Sequence, residues 1–374
     1  MKPILWKIIE FFYKAIYKNL AFLRDPETVH DGATSFGKKL GNSPVAKGIL
    51  SSLLVYKNKM LEQEIGGIKF ENPIGLAAGF DKNANLTQIL GSVGFGYEEV
   101  GSVSGTPAEG NPKPRLWRLK KSKGIIVWYG LTNDGSEKLA QKLGKLKFDI
   151  PIGVSIVKTN SPEVLTLERA VPDIIKAFKD MADIGSYYTL NISCPNTEGE
   201  GLFYNAKNLK VALKEIFNLN IKKPLFIKMP PDLCRTSIDE IIDISRKYGI
   251  KGFVLSNIVK HRDMMKSYDK EELSKIDPGK GSISGKPVED LSNKLIEYVY
   301  KKTRGEFIII GCGGIFTAKD AYKKIRLGAS LLQLITGMIF EGPQRIAQIN
   351  YGLVKLLKKD GFKNISEAVG ADIN

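Results

Sequence analysis

Residues that build disulfide frameworks and metal centres are scarce in this chain. Only three cysteines, Cys194, Cys234 and Cys312, occur among 374 residues, and no two are spaced as Cys-x-x-Cys. The two histidines, His30 and His261, lie far apart in the sequence. These shortages argue against a disulfide framework, a metal site and a histidine-centred catalytic dyad, and they favour a reducing compartment. His30 falls in a helical pattern near the N-terminus, where we expect a structural role.

Long hydrophobic runs are also missing. In residues 1–24 the apolar side chains recur at helical spacing, but Lys7, Glu10, Lys14 and Lys18 interrupt them well short of the ~20 residues that a membrane span needs. No small-residue cleavage site follows, so the segment does not read as a signal peptide. We expect a helix that lies in the membrane interface, and the alternative is a helix packed on the protein's own core.

Positive charge is what the chain has in excess. Lys and Arg number 56 against 40 Asp and Glu, which gives a formal net charge of +16. Such an excess suits an anionic ligand, an anionic membrane surface or nucleic acid, but no basic run is interleaved with aromatics, so we expect no nucleic-acid binding. Two helix starts, Asp25-Pro26 and Ser43-Pro44, follow the first segment. Gly41 ends the helix between them, and the second start predicts a helix over residues 45–60. Residues 1–61 are therefore predicted to form a basic helical extension that favours an anionic lipid surface.

From residue 62 the pattern changes to short apolar strands that alternate with helical stretches. A hairpin is predicted at 63–65 and 68–70, and Ser237-x-x-Glu240 reads as a capping box that opens a later helix. Eight βα units indicate a (β/α)8 TIM barrel over residues 62–374; a doubly wound sheet is the alternative, but the first βα turn lacks G-x-G-x-x-G. The predicted barrel strands are 74–79, 97–103, 152–157, 187–193, 225–229, 252–257, 307–312 and 331–336.

Polar side chains follow several of these strands. Residues 191–197 read Asn-Ile-Ser-Cys-Pro-Asn-Thr, so a thiol lies between two carboxamides. A carboxamide both donates and accepts hydrogen bonds, which suits the imide edge of a flat polar ring, and Cys194 is placed to exchange a proton; an ordinary polar turn is the alternative. Asn257 ends strand six and adds a third carboxamide. After strand one, small residues precede Lys82, which could reach an anionic substituent.

Glycines and one lysine suggest a phosphorylated cofactor. Gly313-Gly314 follows strand seven and Thr336-Gly337 follows strand eight, and glycines there let backbone N–H groups approach a phosphate; plain tight turns are the alternative. Lys228 ends an otherwise apolar strand five, where an ammonium is costly unless it meets a negative charge or reaches out to solvent. FMN, whose reduced ring is anionic, would satisfy both features.

Together these motifs resemble those of a known family, the dihydroorotate dehydrogenases, and in particular their membrane-associated class that reduces quinones. The helices ahead of the hairpin are a further mark, because the soluble classes start near the hairpin. The resemblance covers almost the whole chain and rests on these segments: 75–83, 101–103, 110–118, 191–197, Lys228, 231–233, 284–287, 290–292, 313–314, 361–362 and 370–372.

The resemblance implies an FMN-dependent enzyme that oxidises (S)-dihydroorotate to orotate in pyrimidine biosynthesis, with a membrane quinone as electron acceptor. It further implies a monomer held peripherally at the cytoplasmic side of the cell membrane through its N-terminal helices, which contact the anionic lipid surface. The residues it places near FMN are Ala77, Ala78, Gly79, Ser102, Asn191, Lys228, Ser256, Gly285, Gly313, Gly314 and Thr336.

The resemblance also assigns the substrate and acceptor sides. Lys228 and Cys194 are implied as the catalytic residues, with Cys194 as the base that removes the C5 proton, and Arg118 is implied at the inner end of a quinone tunnel between the N-terminal helices. The residues implied to hold dihydroorotate are Lys82, Asn191, Asn196 and Asn257.

Several positions depart from the family pattern and leave three alternatives open. The substrate is another dihydropyrimidine, the electron acceptor is soluble, or the protein binds flavin without enzymatic activity. Cys194 replaces the serine that is usual in the membrane class, although a thiol gives up its proton more readily than a hydroxyl. Val127 stands where a substrate-binding asparagine is usual, and a polar group left unpaired there would cost about 1–3 kcal/mol unless Thr132, Asn133 or water replaces it. The other departures are Ser155 for an FMN-contacting asparagine, Ile258 for a substrate-contacting threonine and Ile335 for a tyrosine on the quinone side.

Overall fold

The centre of the molecule is a closed barrel of eight parallel strands, described in a computed structural model that covers residues 2–193, 201–261, 270–274, 276 and 279–373. Around the barrel the strands run β3-β4-β7-β8-β9-β10-β12-β13, which is their order in the chain, so the predicted TIM barrel is confirmed. In chain order the strands are β1 (Gln63–Ile65), β2 (Ile68–Phe70), β3 (Ile74–Leu76), β4 (Tyr97–Val103), β5 (Leu116–Leu119), β6 (Gly124–Val127), β7 (Ile152–Ile156), β8 (Tyr187–Asn191), β9 (Leu225–Met229), β10 (Gly252–Leu255), β11 (Ser282–Gly285), β12 (Ile308–Cys312) and β13 (Leu331–Leu334).

Each predicted barrel strand contains one observed strand, and several end earlier than predicted. The first ends at Leu76 rather than residue 79, and the fourth ends at Asn191 rather than 193. The residues beyond these ends leave the ladder and line the mouth of the barrel, which is why they are polar or small. At the opposite end, Phe70 of the predicted hairpin packs edge-on against Tyr97 with ring centroids 5.3 Å apart, so the hairpin closes the bottom of the barrel.

Helices cover the outside of the barrel and form the N-terminal extension. The cap predictions at Asp25 and Ser43 are confirmed, since Asp25 Oδ1 accepts from the Thr28 amide at 2.8 Å and Ser43 Oγ accepts from the Ala46 amide at 3.3 Å. In chain order the helices are α1 (Lys2–Phe12), α2 (Lys18–Ala21), α3 (Pro26–Gly41), α4 (Pro44–Leu54), α5 (Leu90–Val93), α6 (Ser136–Leu143), α7 (Leu167–Asp180), α8 (Ala206–Asn218), α9 (Arg235–Lys247), α10 (Lys270–Ser274), α11 (Glu289–Thr303), α12 (Ala318–Arg326), α13 (Thr336–Glu341) and α14 (Arg345–Lys359).

One predicted helix start was wrong. The Ser237-x-x-Glu240 box lies inside α9, which begins at Arg235 with Cys234 as its N-cap residue. Ser237 Oγ instead lies 3.2 Å from Cys234 Sγ. The hydroxyl therefore faces the N-cap residue of α9 and does not open a new helix.

The two long connections after the second and sixth barrel strands meet in a small antiparallel sheet that periodicity alone did not predict. Strands β5, β6 and β11 form this flap sheet, with Val127 opposite Ser282. One face of the flap sheet packs Leu119, Ile126 and Ile283 into a satellite core. The other face turns towards the mouth of the barrel.

Residues 2–21 run as one continuous helical segment, in which Tyr13–Tyr17 form a π-helical turn between α1 and α2. One side is anchored to the rest of the molecule, because buried Trp6 donates from Nε1 to the Leu53 carbonyl at 2.8 Å and the Tyr13 hydroxyl donates to the Ile339 carbonyl at 2.8 Å. Of the helices that the structure describes, none is long and apolar enough to cross a membrane. Large exposed apolar side chains on the extension are Ile4, Ile8, Phe11, Phe12, Ile16, Leu20, Leu23, Phe36, Val45 and Ile49.

Candidate active site

One cavity of about 620 Å³ opens at the carboxyl ends of the barrel strands and continues between the N-terminal helices. Two sequence-predicted site residues, Cys194 and Asn196, lie outside the described residues. All the others line this cavity: Ala77, Ala78, Gly79, Lys82, Arg118, Ser102, Asn191, Lys228, Ser256, Asn257, Gly285, Gly313, Gly314 and Thr336.

Two of the predicted carboxamides form one hydrogen-bonded cluster. Asn257 Nδ2 donates to Ser193 Oγ at 2.8 Å, to the Ser193 carbonyl at 2.7 Å and to Asn191 Oδ1 at 3.3 Å. Asn191 Nδ2 donates to Ser102 Oγ at 2.9 Å, and the Ser102 hydroxyl lies 2.7 Å from that of Ser155. The carboxamides at the ends of the fourth and sixth barrel strands are therefore held in fixed orientation at the cavity wall, and Ser155 supports one of them through a second hydroxyl.

A cation without a partner lies beside this cluster. Lys228 is only 3% exposed, and its ammonium makes no hydrogen bond or ion pair with the part of the chain that the structure describes. Ser256 Oγ is likewise buried and, within the described ranges, has no hydrogen-bond partner. Burial raises the pKa of the neighbouring Cys312 thiol, although the charge of Lys228 opposes the shift. A buried ammonium and an unsatisfied hydroxyl facing a cavity fit an anionic, hydrogen-bonding cofactor.

The glycines supply room for such a cofactor. Gly79 has φ of +106°, and a Cβ added to it would meet nothing within 4 Å, so its open side faces free space. Gly313 and Gly314 have φ of +113° and +74°, and helix α12 begins only at Ala318. The glycine turn is thus separate from the start of α12, whereas after the eighth barrel strand α13 begins at Thr336 itself. The Ser284 and Thr336 hydroxyls, 3.0 Å apart, complete this side of the wall. These residues fit a ring system with a phosphate, as in FMN.

On the other side of the cavity, Lys82 contacts a histidine that sequence reasoning set aside as structural. Lys82 Nζ lies 3.5 Å from His30 Nε2 and 3.7 Å from the centre of the Tyr129 ring. Burial lowers the pKa of Lys82 to about 8, and burial together with the Lys82 charge lowers the pKa of His30 to about 3. His30 also packs edge-on against Phe80, with centroids 4.7 Å apart. No local pattern links residues 30, 82 and 129, so only the fold brings them together.

Arg118 lies where the cavity enters the N-terminal extension. Its Nη1 donates to the Arg24 carbonyl at 2.9 Å, and its guanidinium lies 4.6 Å from the centre of the Phe22 ring. Ile335 lines the same cavity, together with Phe36 and other apolar side chains of the extension. This end of the cavity is mainly apolar, with one arginine at its boundary.

The departures from the family pattern also lie in this wall. Val127 and Ile258 both line the cavity, so two alkyl groups replace polar ones there. Of the two side chains suggested as substitutes for the contact missing at Val127, Asn133 is engaged elsewhere, since its Nδ2 donates to Ser104 Oγ and its Oδ1 accepts from the Gly135 amide. Thr132 does line the cavity, and its hydroxyl donates to the Tyr129 carbonyl at 3.4 Å. Thr132 is therefore the described side chain that could replace the missing contact.

The fold and the site together define a TIM barrel with a large cavity at the carboxyl ends of its strands, where enzymes of this fold bind their substrates. A family model described as dihydroorotate dehydrogenase matches residues 60–357, and the chain belongs to that family. Relatives named dihydroorotate dehydrogenase (quinone) include one from Nostoc punctiforme, 37% identical over 93% of this chain and 94% of the relative, and one from Haloarcula marismortui, 34% identical over 96% and 99%. A crystal structure of DHODH from Eimeria tenella in complex with ferulenol matches with a TM-score of 0.82 and 29% identity, covering 94% of this chain and 96% of that one. The family resemblance drawn from the motifs is confirmed.

Proposed function

We propose that this protein oxidises (S)-dihydroorotate to orotate in pyrimidine biosynthesis, with FMN as the bound electron carrier and a membrane quinone as acceptor. The observation that carries the proposal is one continuous cavity, which is polar around Lys82 and Asn257 and apolar around Phe36 and Leu40. A cavity with two such ends suits a charged substrate at one side and a lipophilic acceptor at the other. The quinone enzymes among the relatives support the same activity.

The chemistry that FMN would supply when bound is redox: acceptance of a hydride and onward transfer of the electrons. The chain's own contribution is to hold that group and keep its surroundings polar where charge develops. Lys228 would supply a positive charge that no described carboxylate neutralises, and Ser256 would donate or accept one hydrogen bond. Gly79 would leave space for the ring, because a Cβ there would project into free space. At Gly313 and Gly314 a side chain would require a strained backbone and would meet Ser292 and Glu289, so only glycine fits this turn.

The substrate would be oriented from the opposite wall. Lys82 would bind its carboxylate, and the carboxamides of Asn191, Asn196 and Asn257 would bind the ring amides. We assign Cys194 as the base that takes the C5 proton onto its sulfur, since a thiolate is readily formed from a group with an ordinary pKa near ~8.5. The three hydrogen bonds from Asn257 to residues 191 and 193 would fix the start of the loop that carries this base.

We also infer a functional division at residue 61. Residues 62–374 would form the FMN-binding barrel, and residues 1–61 would form the extension that admits quinone and binds the anionic membrane surface peripherally, at the cytoplasmic side of the cell membrane and as a monomer. Support comes from the apolar side chains that the extension exposes around Phe11 and Leu20 and from its six surplus positive charges, ten basic against four acidic residues within the first 60. Apolar insertion and attraction to anionic lipid act together in interfacial helices.

Anaerobic titration of the purified yellow protein tests the function. Addition of dihydroorotate is expected to bleach the oxidised flavin absorbance, and a short-chain quinone is expected to restore it. Persistent yellow colour after dihydroorotate would overturn the substrate assignment. Bleaching without reoxidation by quinone would overturn the acceptor assignment.

A second candidate substrate is another reduced pyrimidine, and the alkyl groups of Val127 and Ile258 in the cavity wall favour it. A ring edge without a polar atom would lose nothing against these side chains, whereas an unpaired polar atom would cost about 1–3 kcal/mol. The same anaerobic titration with dihydrouracil or dihydrothymine distinguishes the two. Faster bleaching by either compound than by dihydroorotate would establish the second candidate.

A further inference from the structure

The Lys82 ammonium, in the wall of the cavity, has an unusual set of neighbours. It faces the Tyr129 ring at 3.7 Å and His30 Nε2 at 3.5 Å, and it makes no ion pair with a carboxylate within the described ranges. His30 belongs to α3, in the N-terminal extension, whereas Lys82 follows the first barrel strand. The contact therefore joins the extension directly to the substrate side of the cavity.

The charged groups around this contact are few and mostly paired with each other. Glu27 on α3 is held by Arg115 at 2.8 Å and by Lys113 at 3.3 Å, and Asp31 is exposed on the same helix. Asp81 accepts from the Asn85 and Leu86 amides and so faces its own turn. Asp31, Glu27 and Asp81 raise the pKa of Lys82 and Arg115 lowers it, but burial outweighs them and leaves that pKa below its usual range.

An imidazole that meets an ammonium in this way can only accept a hydrogen bond if its Nε2 carries no proton. Burial and the Lys82 charge both disfavour a protonated ring and hold the pKa of His30 far below neutrality. The tilted Tyr129 ring on the second side adds a cation–π contact. An ammonium has three N–H groups. Because His30 and the Tyr129 ring engage two of them, the third is left for a ligand in the cavity.

We propose that His30 is a positioning residue, whose neutral imidazole accepts a hydrogen bond from Lys82 and aims the ammonium at the carboxylate of the bound substrate. The inference rests on the proposed function, in which Lys82 binds that carboxylate. It adds that α3 of the N-terminal extension completes the substrate site as well as the acceptor end of the cavity. Removal of the imidazole would release the ammonium and admit water, so the pKa of Lys82 would rise towards its ordinary value.

The first test needs no substrate. Because the chain has only two histidines, the ¹⁵N NMR signals of the holoprotein can be assigned with a His261→Gln variant. The His30 ring is expected to stay neutral down to pH 5, and Lys82→Met is expected to shift its Nε2 resonance. A His30 ring that titrates near its ordinary pKa of ~6.5 and ignores Lys82→Met would overturn the proposal.

The second test measures orotate binding to oxidised holoenzyme by the flavin spectral change between pH 6 and 10. His30→Ala is expected to weaken binding roughly fivefold to tenfold at pH 7 and to move the loss of affinity from about pH 8 to higher pH. His30→Gln, which keeps an acceptor, should stay within about threefold of wild type. Ser35→Ala, an exposed change on the same helix, is the control.

The two tests separate the failure of this inference from failure of the function. If His30→Ala matches Ser35→Ala in both affinity and pH profile, His30 does not position Lys82. If the wild-type protein fails to bind orotate, the proposed substrate is wrong, while the NMR result still decides whether His30 and Lys82 are coupled.

Discussion

Glu341 is one of the points where the N-terminal helix is tied to the rest of the molecule, and its replacement by glutamine should loosen that attachment. Its carboxylate contacts Lys14 at 2.5 Å, Lys123 at 2.9 Å and Arg345 at 2.8 Å. Arg345 also binds Glu10 of α1 at 2.7 Å, so the cluster extends along the first helix. Glu341→Gln keeps the shape of the side chain but leaves three cations without their shared anion.

The size of the effect follows from the pKa of Glu341. Burial alone would raise that pKa, but hydrogen bonds from Lys14 and Lys123 and the charge of Arg345 lower it from 4.5 to about 2. Such a shift corresponds to roughly 3 kcal/mol of folding free energy, since one pKa unit is worth ~1.36 kcal/mol. Lys14 and Lys123 are 35% and 51% exposed, so solvent screening reduces the expected loss to about 2 kcal/mol.

Urea unfolding of the holoprotein at several pH values measures this loss. Because the folded-state pKa is lowered, the stabilisation is complete above about pH 4.5 and disappears as the pH falls towards 2, so Glu341→Gln should cost about 2 kcal/mol at pH 7 and much less near pH 3. Glu297→Gln is the matched control, because Glu297 pairs with Lys301 on an exposed helix face, where about 0.3–0.5 kcal/mol is expected. Equal losses for the two variants, or a loss that does not depend on pH, would refute the reasoning.

Three other changes address the proposed function. Cys194→Ala should abolish flavin reduction by dihydroorotate while FMN stays bound, and Cys194→Ser should keep part of the activity. Stopped-flow reduction rates measure both variants, and an alanine variant as fast as wild type would rule out Cys194 as the base. Deletion of residues 1–24 should weaken quinone reduction and binding to anionic vesicles while flavin reduction by dihydroorotate persists, because His30 and Lys82 remain; vesicle cosedimentation that does not change would count against the interfacial helix. Val127→Asn should tighten orotate binding by up to roughly tenfold if a polar ring atom faces this wall. Flavin titration measures the affinity, with Val127→Leu as the control, and no change would show that the ring atom already has a hydrogen-bond partner.

The arrangement of the barrel could be predicted because its signals are local. The eight apolar segments, the hairpin about Gly66-Gly67 and the caps at Asp25 and Ser43 each depend on residues a few positions apart, and all are observed. The helix predicted to run from residue 45 to 60 ends at Leu54, where Val55 becomes extended. The apolar pattern continues past that point because the following residues pack on the core rather than because they are helical.

The candidate site could be predicted only where its residues lie at strand ends. Asn191, Lys228 and Asn257 lie at or just beyond the ends of their strands, and closure of the barrel brings those ends to one face. The roles of these residues, and of Cys194 and Asn196, stay predictions. The contact between His30 and Lys82 gave no such signal, since it joins a helix of the extension to a loop of the barrel.

The sequence by itself determined the barrel, the family and fourteen of the residues that line the cavity, because strand periodicity, helix caps and ordered motifs are all local properties of the chain. Tertiary structure alone decided that two distant excursions pair as the flap sheet, with Val127 and Ile258 in the cavity wall. It also decided that Lys82 meets His30 and that Glu341 gathers three cations. These contacts depend on how separate elements pack, and packing brings together residues whose spacing in the chain carries no periodic signal.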